Sequence, residues 1–303
     1  MVEDLHDGGD GRDGGAVTRT TRETALATAR GLALASHTGP TVVVTVLAGF
    51  FAAGVGSGPG PTALVTAAVL TGQLSVGWSN DWLDARRDVA VQRTDKPVVA
   101  GLVSTRQVHA AALVAATLCV VLSLATGLVA GLVHLVAVAS AWSYNAWLKS
   151  TVWSWAPYAV SFGLLPLFVV LAAPGDRVAA PWAMAATALL GVGAHVANTL
   201  PDLEDDRATG IRGLPHRLGR TRASVLAPVV LVAAVAVVVL GPPGPPSVAA
   251  WVGGIVAVAL AVSAGVVAVR RTTSRLPFAL SMAVAAVCAI LLVLAGPDVA
   301  LPG

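Results

Sequence analysis

Apolar residues along this chain fall in long blocks, and turn residues or charges separate the blocks. Each block approaches the ~20 residues that a helix needs to cross a bilayer. The pattern predicts helices near residues 38–56, 61–79, 105–125, 127–147, 153–173, 179–200, 223–241, 247–268 and 276–296, nine in all. Between some of them lie Gly/Pro-rich stretches such as "GSGPGP" and "GPPGPPS", which read as short turns. Residues 1 to about 20 are polar and Gly/Asp-rich ("EDLHDGGDGRDGGA") and read as a disordered tail. No cleavable signal peptide is expected before the first span. The expected organisation is a disordered or surface N-terminal segment over 1–30 and a single transmembrane domain over 31–300.

Composition narrows the class. Of 303 residues, 56% are hydrophobic and 12% charged, where a soluble domain carries about 25% charged residues. Mean hydropathy is +0.78. A soluble fold cannot cover so much apolar surface, so the expectation is an all-α integral membrane protein. The two cysteines, Cys119 and Cys288, lie in apolar blocks and offer neither a disulfide framework nor a Cys/His metal spacing. Arg far outnumbers Lys, and Ala, Gly and Val are abundant, which points to a GC-rich bacterial genome and a bacterial cell membrane.

The pI near 9.3 does not indicate nucleic acid, because topology accounts for the cations. Arg12, Arg19, Arg22 and Arg30 precede the first span. Arg86, Arg87, Arg93, Lys96 and Arg106 follow the second, and Lys149 the fourth. Arg207, Arg212, Arg217, Arg220 and Arg222 follow the sixth, and Arg270, Arg271 and Arg275 the eighth. With a cytoplasmic N-terminus, 18 of the 19 Lys and Arg are cytoplasmic and Arg177 alone is outside, as is the C-terminus. Trp142, Trp147, Trp153 and Trp155 gather around one cytoplasmic turn. They read as an interfacial belt, with an aromatic wall flanking a cation as the other option.

Candidate chemistry lies at two of these cytoplasmic edges. In "SNDWLDARRD", Asn80, Asp84 and Asp88 are spaced i, i+4, i+8 and share one helical face, with Asp81 beside them. Like charges at this spacing repel, and an Asp at the centre of a membrane helix costs about 2.5–3.5 kcal/mol. Something must compensate. The pattern returns 118 residues later in "NTLPDLEDDRATG", where Asn198, Asp202 and Asp206 repeat the spacing beside Glu204 and Asp205. Two matched ladders on one side suggest an internal repeat, two pseudo-repeat helical bundles each donating one ladder. Facing carboxylates suit Mg²⁺, a hard cation that takes oxygen ligands and is often shared with substrate phosphates. Basic residues for a diphosphate stand nearby: Arg93 and Lys96, then Arg207, Arg212 and Arg217, with Tyr144 and Lys149 at a third edge. Arg220, Arg222, Arg270, Arg271 and Arg275 read as topology determinants, and His109, His134 and His195 as packed side chains.

At these residues the chain resembles the UbiA-type intramembrane prenyltransferase superfamily. The N-D-x2-D-x3-D motif is matched by Asn80, Asp81, Asp84 and Asp88, and R-T-x-[KR]-P by Arg93, Thr94, Lys96 and Pro97, with Gly101 after it. D-x3-D with a trailing Gly is matched by Asp202, Asp206 and Gly210, and a Leu-Pro…Leu-Gly tail by Leu214, Pro215, Leu218 and Gly219. Tyr144 and Lys149 resemble the family's Tyr/Lys pair. The resemblance covers roughly residues 30–296. In one departure, Gly213 and Arg212 stand where many members carry Thr preceded by Lys.

The resemblance implies nine transmembrane helices around a central cavity, with the acidic motifs at its cytoplasmic mouth and an isoprenyl diphosphate donor whose tail lies among the helices. Asp81, Asp84 and Asp88 are then expected to hold one Mg²⁺, and Asp202 and Asp206 a second. These five are the expected catalytic residues. Asn80 and Asn198 ligate or orient, and Arg93, Lys96, Tyr144, Lys149 and Arg212 complete the diphosphate site. The allylic cation passes to a small-molecule or lipid acceptor, with an aromatic one favoured, and Asp88 or the released diphosphate takes the proton. The partners expected are therefore the prenyl diphosphate, the acceptor and membrane lipid. The alternatives are a membrane terpene cyclase of the same superfamily, a cation transporter, and a CDP-alcohol phosphotransferase. The last needs a Gly after the first Asp, which "NDWLDARRD" lacks.

Overall fold

The computed structural model describes residues 25–208, 210–270 and 273–303. Its helices, in chain order, are α1 (Ala25–Ala35), α2 (Thr38–Gly54), α3 (Pro59–Ala90), α4 (Thr105–Ala125), α5 (Leu128–Ala146) and α6 (Ala156–Leu171). There follow α7 (Pro181–Thr199), α8 (Leu203–Ala208), α9 (Leu214–Leu218), α10 (Arg220–Leu240), α11 (Val248–Arg270) and α12 (Leu276–Ala295). Local chemistry sets the ends. Pro stands at the first turn of α3, α7 and α12, where its missing N–H loses no bond. Ser104 and Gln107 form a reciprocal capping box that starts α4.

The predicted apolar blocks all appear as helices, with ends shifted by a few residues; α3 runs farthest beyond its block, to Ala90. Six described helices are long and apolar enough to cross a membrane, or seven if α1 and α2, bent by 68° at a short break, form one span. Helices α3 and α7 are not among the six. These two carry Gln73, Ser75, Ser79, Asn80, His195 and Asn198, polar residues that lower their hydropathy. The tail over residues 1–20 lies outside the described residues. Residues 25–30, within the N-terminal segment, form the first part of α1 and are exposed or half-buried.

Consecutive helices pack side by side from α2 to α7, then α7 on α10, α10 on α11 and α11 on α12, and α12 meets α2 to close a ring. Large apolar side chains such as Val114, Val121, Leu128, Ile255 and Ile290 face outward and stay exposed. A surface of this kind suits lipid and not water. Within the helices, hydroxyls of Thr66, Ser75, Ser79, Thr187 and Ser281 bond to carbonyls three or four residues earlier, so these groups need no water.

Two glycines bring helices close where it matters. A Cβ on Gly77 would stand 2.5 Å from the Ser36 carbonyl oxygen, and one on Gly191 would stand 2.7 Å from that of Tyr158. Bare backbone there lets α3 press on the α1–α2 joint and α7 on α6. One turn further along each helix lie Asp81 and His195. At the end away from the motifs, β1 (Arg177–Ala179) pairs antiparallel with β2 (Ala300–Pro302). This small ribbon was not expected in an all-α chain. Arg177 donates to the carbonyls of Val55 and Pro174, so this cation caps backbone at the end opposite the motifs.

Candidate active site at the motif end of the bundle

The first ladder forms as its spacing predicts. Asp81, Asp84 and Asp88 lie on the last turns of α3 and are 3%, 7% and 2% exposed. Each faces a cation of the chain. Lys96 Nζ donates to Asp81 Oδ1 at 2.7 Å. Lys149 bonds to Asp84, and Arg87 Nη2 donates to Asp84 Oδ2 at 3.0 Å and stands 3.7 Å from Asp88 Oδ1. Asn80 is half-buried beside them. The compensation for burying three carboxylates is therefore local charge, and breaking such a pair leaves an expensive lone ion.

The second ladder is bent. Helix α7 ends at Thr199, and Asp202 sits in the turn before α8 carries Asp206. Pro201 contributes to the break, since it has no N–H to give to the α7 ladder, while Leu200 itself keeps helical geometry at φ −62° and ψ −43°. Asn198, Asp202 and Asp206 thus do not share one straight helical face, and Asn198 is exposed. Asp202 is reached from the first half, by Arg93 at 3.6 Å. His216 Nε2 is 3.4 Å from Asp206, and Arg207 donates to the His216 carbonyl. Arg220 grips Glu204, and its guanidinium holds that carboxyl below the usual carboxylate range. Arg93 does the same for Asp95 by a 3.0 Å bond. Arg212 is exposed.

Tyr144 stands between the ladders, within electrostatic reach of both Asp84 and Asp206. Its ring meets Tyr158 edge-on at 5.1 Å, and His195 stacks on Tyr158 at 4.6 Å. Trp147 and Trp153 are exposed, as an interfacial belt requires, whereas Trp142 turns inward to donate to Ser75 at 3.2 Å. Next to this cluster an apolar cavity of about 80 Å³ opens between α2, α6, α7 and α12. Thr187, Leu190 and Ala194 line it on α7. Asn198 lies four residues past Ala194 on α7 and is exposed.

Several site residues carry no signal in the sequence. His37, in the left-handed region at φ 54° where α1 meets α2, places Nε2 3.4 Å from Asp81 Oδ1. Asn145 donates to the Val76 carbonyl and to Ser79, fixing α5 against α3. Ser154, His195 and His216 join the site only through the fold. Arg87 was legible as the i+3 partner of Asp84.

Among the described residues no three His, Cys, Asp or Glu side chains stand together as a ready metal group. The carboxylates are turned onto cations instead. The donor set nevertheless fits Mg²⁺. It consists of hard carboxylate oxygens, and buried Asp88 Oδ1 has no hydrogen-bond partner.

The model of the UbiA prenyltransferase family matches residues 42–287. A UbiA homolog from Aeropyrum pernix K1 has the same fold, with a TM-score of 0.66 at 21% identity over 84% of this chain and 97% of that one. A UbiA homolog from Archaeoglobus fulgidus, solved bound to GPP and Mg²⁺, gives 0.65 at 16% identity over 86% and 96%. The bacteriochlorophyll synthase 33 kDa chain of Cereibacter sphaeroides is 34% identical over 174 residues. That match spans 52% of this chain and only 56% of the relative's length. With the family model covering most of the chain and both archaeal folds superposing along nearly their full length, this integral membrane protein belongs to the UbiA prenyltransferase family, a family of transferases.

Proposed function

We propose that the protein transfers an isoprenyl group from a prenyl diphosphate to an acceptor within the membrane, with Mg²⁺ bound at the carboxylates. The observation that carries this is the presence of two environments in one bundle. An apolar cavity walled by four helices lies in the same ring of helices as a motif end where buried Asp81 and Asp84 pair with Lys96 and Lys149. A prenyl tail wants the first and its diphosphate the second. The A. fulgidus homolog bound to GPP and Mg²⁺ lends support by fold.

Mg²⁺ held by Asp81, Asp84 and Asp88, and by Asp202 and Asp206, would supply charge neutralisation of the leaving diphosphate. Lys96 and Lys149 transfer their hydrogen bonds from Asp81 and Asp84 to phosphate oxygens. Arg93 and Arg212 add charge from the two loops, and Asn80 and Asn198 orient the carboxylates beside them. Tyr144, between the ladders, offers its ring to the allylic cation. The apolar wall of Phe51, Phe162, Leu190 and Leu292 keeps water from quenching that cation. The acceptor attacks carbon, and its proton passes to Asp88 or to the released diphosphate.

We place the motif end in the cytoplasm, on the segregation of 18 cations from Arg177. We count α3 and α7 as crossings too, giving nine. Helix α3 has 32 residues, about 48 Å at 1.5 Å per residue, which spans a bilayer and projects its last turns beyond. An electron-rich aromatic acceptor is the first choice. A bacteriochlorophyll synthase among the relatives argues for testing tetrapyrroles beside phenols.

The experiment uses protein in membranes with labelled geranyl, farnesyl and geranylgeranyl diphosphate, with and without Mg²⁺ and acceptors, beside Asp84→Asn. Release that needs Mg²⁺, an acceptor and Asp84 is expected. Release without acceptor, giving a hydrocarbon, would make the protein a cyclase. No release from any donor would sink the transferase and bring cation transport forward.

A further inference from the structure

Gly213 breaks the family pattern, and its backbone does not explain why. Its φ of −62° and ψ of 177° suit any residue. Space explains it. A Cβ there would lie 2.7 Å from the Lys149 carbonyl oxygen and 2.8 Å from Ser154 Oγ. The loop after α8 therefore presses directly on the loop that carries Lys149.

Ser154 sits at this contact, fully buried, and ties three segments. Its Oγ accepts from the Leu214 N–H at 2.9 Å and meets His195 Nε2 at 3.2 Å. The hydroxyl has one proton and two lone pairs, so it holds the Leu214 N–H and pairs with Nε2 in either tautomer; His195 Nδ1 is buried with no hydrogen-bond partner, so Ser154 is the polar group that orients the ring. The Lys149 side of the contact is stiff as well. Thr151 Oγ1 donates to the Leu148 carbonyl and accepts from the Trp153 N–H, and the Ser154 N–H donates to the Thr151 carbonyl. On the other side, Arg217 Nε donates to the Arg212 carbonyl at 2.9 Å. His195, 1% exposed and stacked on Tyr158, anchors the whole to α7.

We propose that Ser154 and His195 are a positioning pair that locks the Lys149 loop of the first half to the Arg212–Gly213 loop of the second, so that one diphosphate is gripped from both halves at once. Neither residue touches the substrate. In this chain the hydroxyl at the contact comes from Ser154 in the α5–α6 loop, and Gly213 leaves room for it. This rests on the diphosphate site proposed above.

The test measures binding of ³²P-pyrophosphate with Mg²⁺ to the full-length protein in nanodiscs. His195→Leu and Ser154→Ala should each weaken binding about tenfold, and the double variant should be no worse than either single. His195→Gln, whose amide offers a hydrogen-bonding group near the Nε2 position, should recover most of the loss. Gly213→Ala should weaken binding from the opposite side of the contact. Lys149→Met should cost much less in the His195→Leu background than in wild type. Binding within twofold of wild type in His195→Leu and Ser154→Ala overturns the pair. So does additive weakening without rescue by Gln, which marks packing alone. A wild type that binds no pyrophosphate overturns the diphosphate site itself, and the pair with it.

Discussion

Arg93 Nη2 lies 3.0 Å from Asp95 and 3.6 Å from Asp202, so one guanidinium spans from the first acidic motif's loop to the second motif. Its planar fork can hold two carboxylates at once, which an ammonium cannot do with the same geometry. Arg93→Ala should raise the donor KM by about 10-fold or more, the scale of a lost charge-assisted hydrogen bond. Arg93→Lys should restore little of it. Steady-state kinetics with farnesyl diphosphate decide the point, and full recovery by Lys would show that charge alone matters.

Buried carboxylates with resident cations make a further demand. Metal must displace Lys96, Lys149 and Arg87, and those cations need an anion to go to. Mn²⁺ should therefore bind poorly alone and at least about tenfold better with pyrophosphate, a coupling in the ordinary range. Lys96→Met should reverse the balance, with tighter Mn²⁺ uptake alone and weaker pyrophosphate binding. Electron paramagnetic resonance titrations read both signs, and equal Mn²⁺ affinity with and without pyrophosphate would remove this account.

Asp84→Asn and Asp206→Asn should each lower kcat by about 100-fold or more, the scale seen when a preorganised charge is removed from a developing anion. The two need not lose donor affinity equally. Asp84 is held by Lys149 and Arg87, and its loss leaves two cations free to hold diphosphate without turnover. A normal kcat in either variant would take that carboxylate out of the chemistry.

Gly77 has no room for a side chain against the Ser36 carbonyl. Gly77→Ala should destabilise by about 1–3 kcal/mol, as overpacking does, and lower the apparent melting temperature. His37, in the left-handed region, makes the complementary case. There His37→Gly should be more stable than His37→Ala, because a non-glycine residue in that conformation costs about 1–2 kcal/mol. Thermal unfolding in detergent ranks the three variants, and a His37→Ala protein as stable as His37→Gly would contradict the strained joint.

Much of this molecule was legible because bilayer and charge write in long blocks. The long helices from α2 onward lie within a few residues of the apolar runs, apart from the extension of α3, while the short α8 and α9 match no run. The first ladder holds because no residue between Asn80 and Asp88 breaks a helix. The second bends at a visible place, since Pro201 removes a backbone donor between Asn198 and Asp202. Helix α1, 11 residues long, was too short to register against the spans around it. The partners of Asp81 and His195 are of another kind. His37 lies 44 residues from Asp81 and Ser154 lies 41 from His195, so only the packing of α1, α3, α6 and α7 brings them together. The ribbon of β1 and β2 rests on three residues a side, below any periodic signal.

The seam between α2 and α12 bears on how the protein is made. Val44, Ala48 and Phe51 face Met282, Ala285, Ala289 and Leu292 across the cavity, so its wall joins an early and a late part of the chain. A ribosome that has delivered both acidic motifs has not yet delivered α12, the late side of that wall. A nascent chain stalled before Leu276 therefore holds Asp81 to Asp88 and Asp202 to Asp206 beside a cavity that still lacks one side.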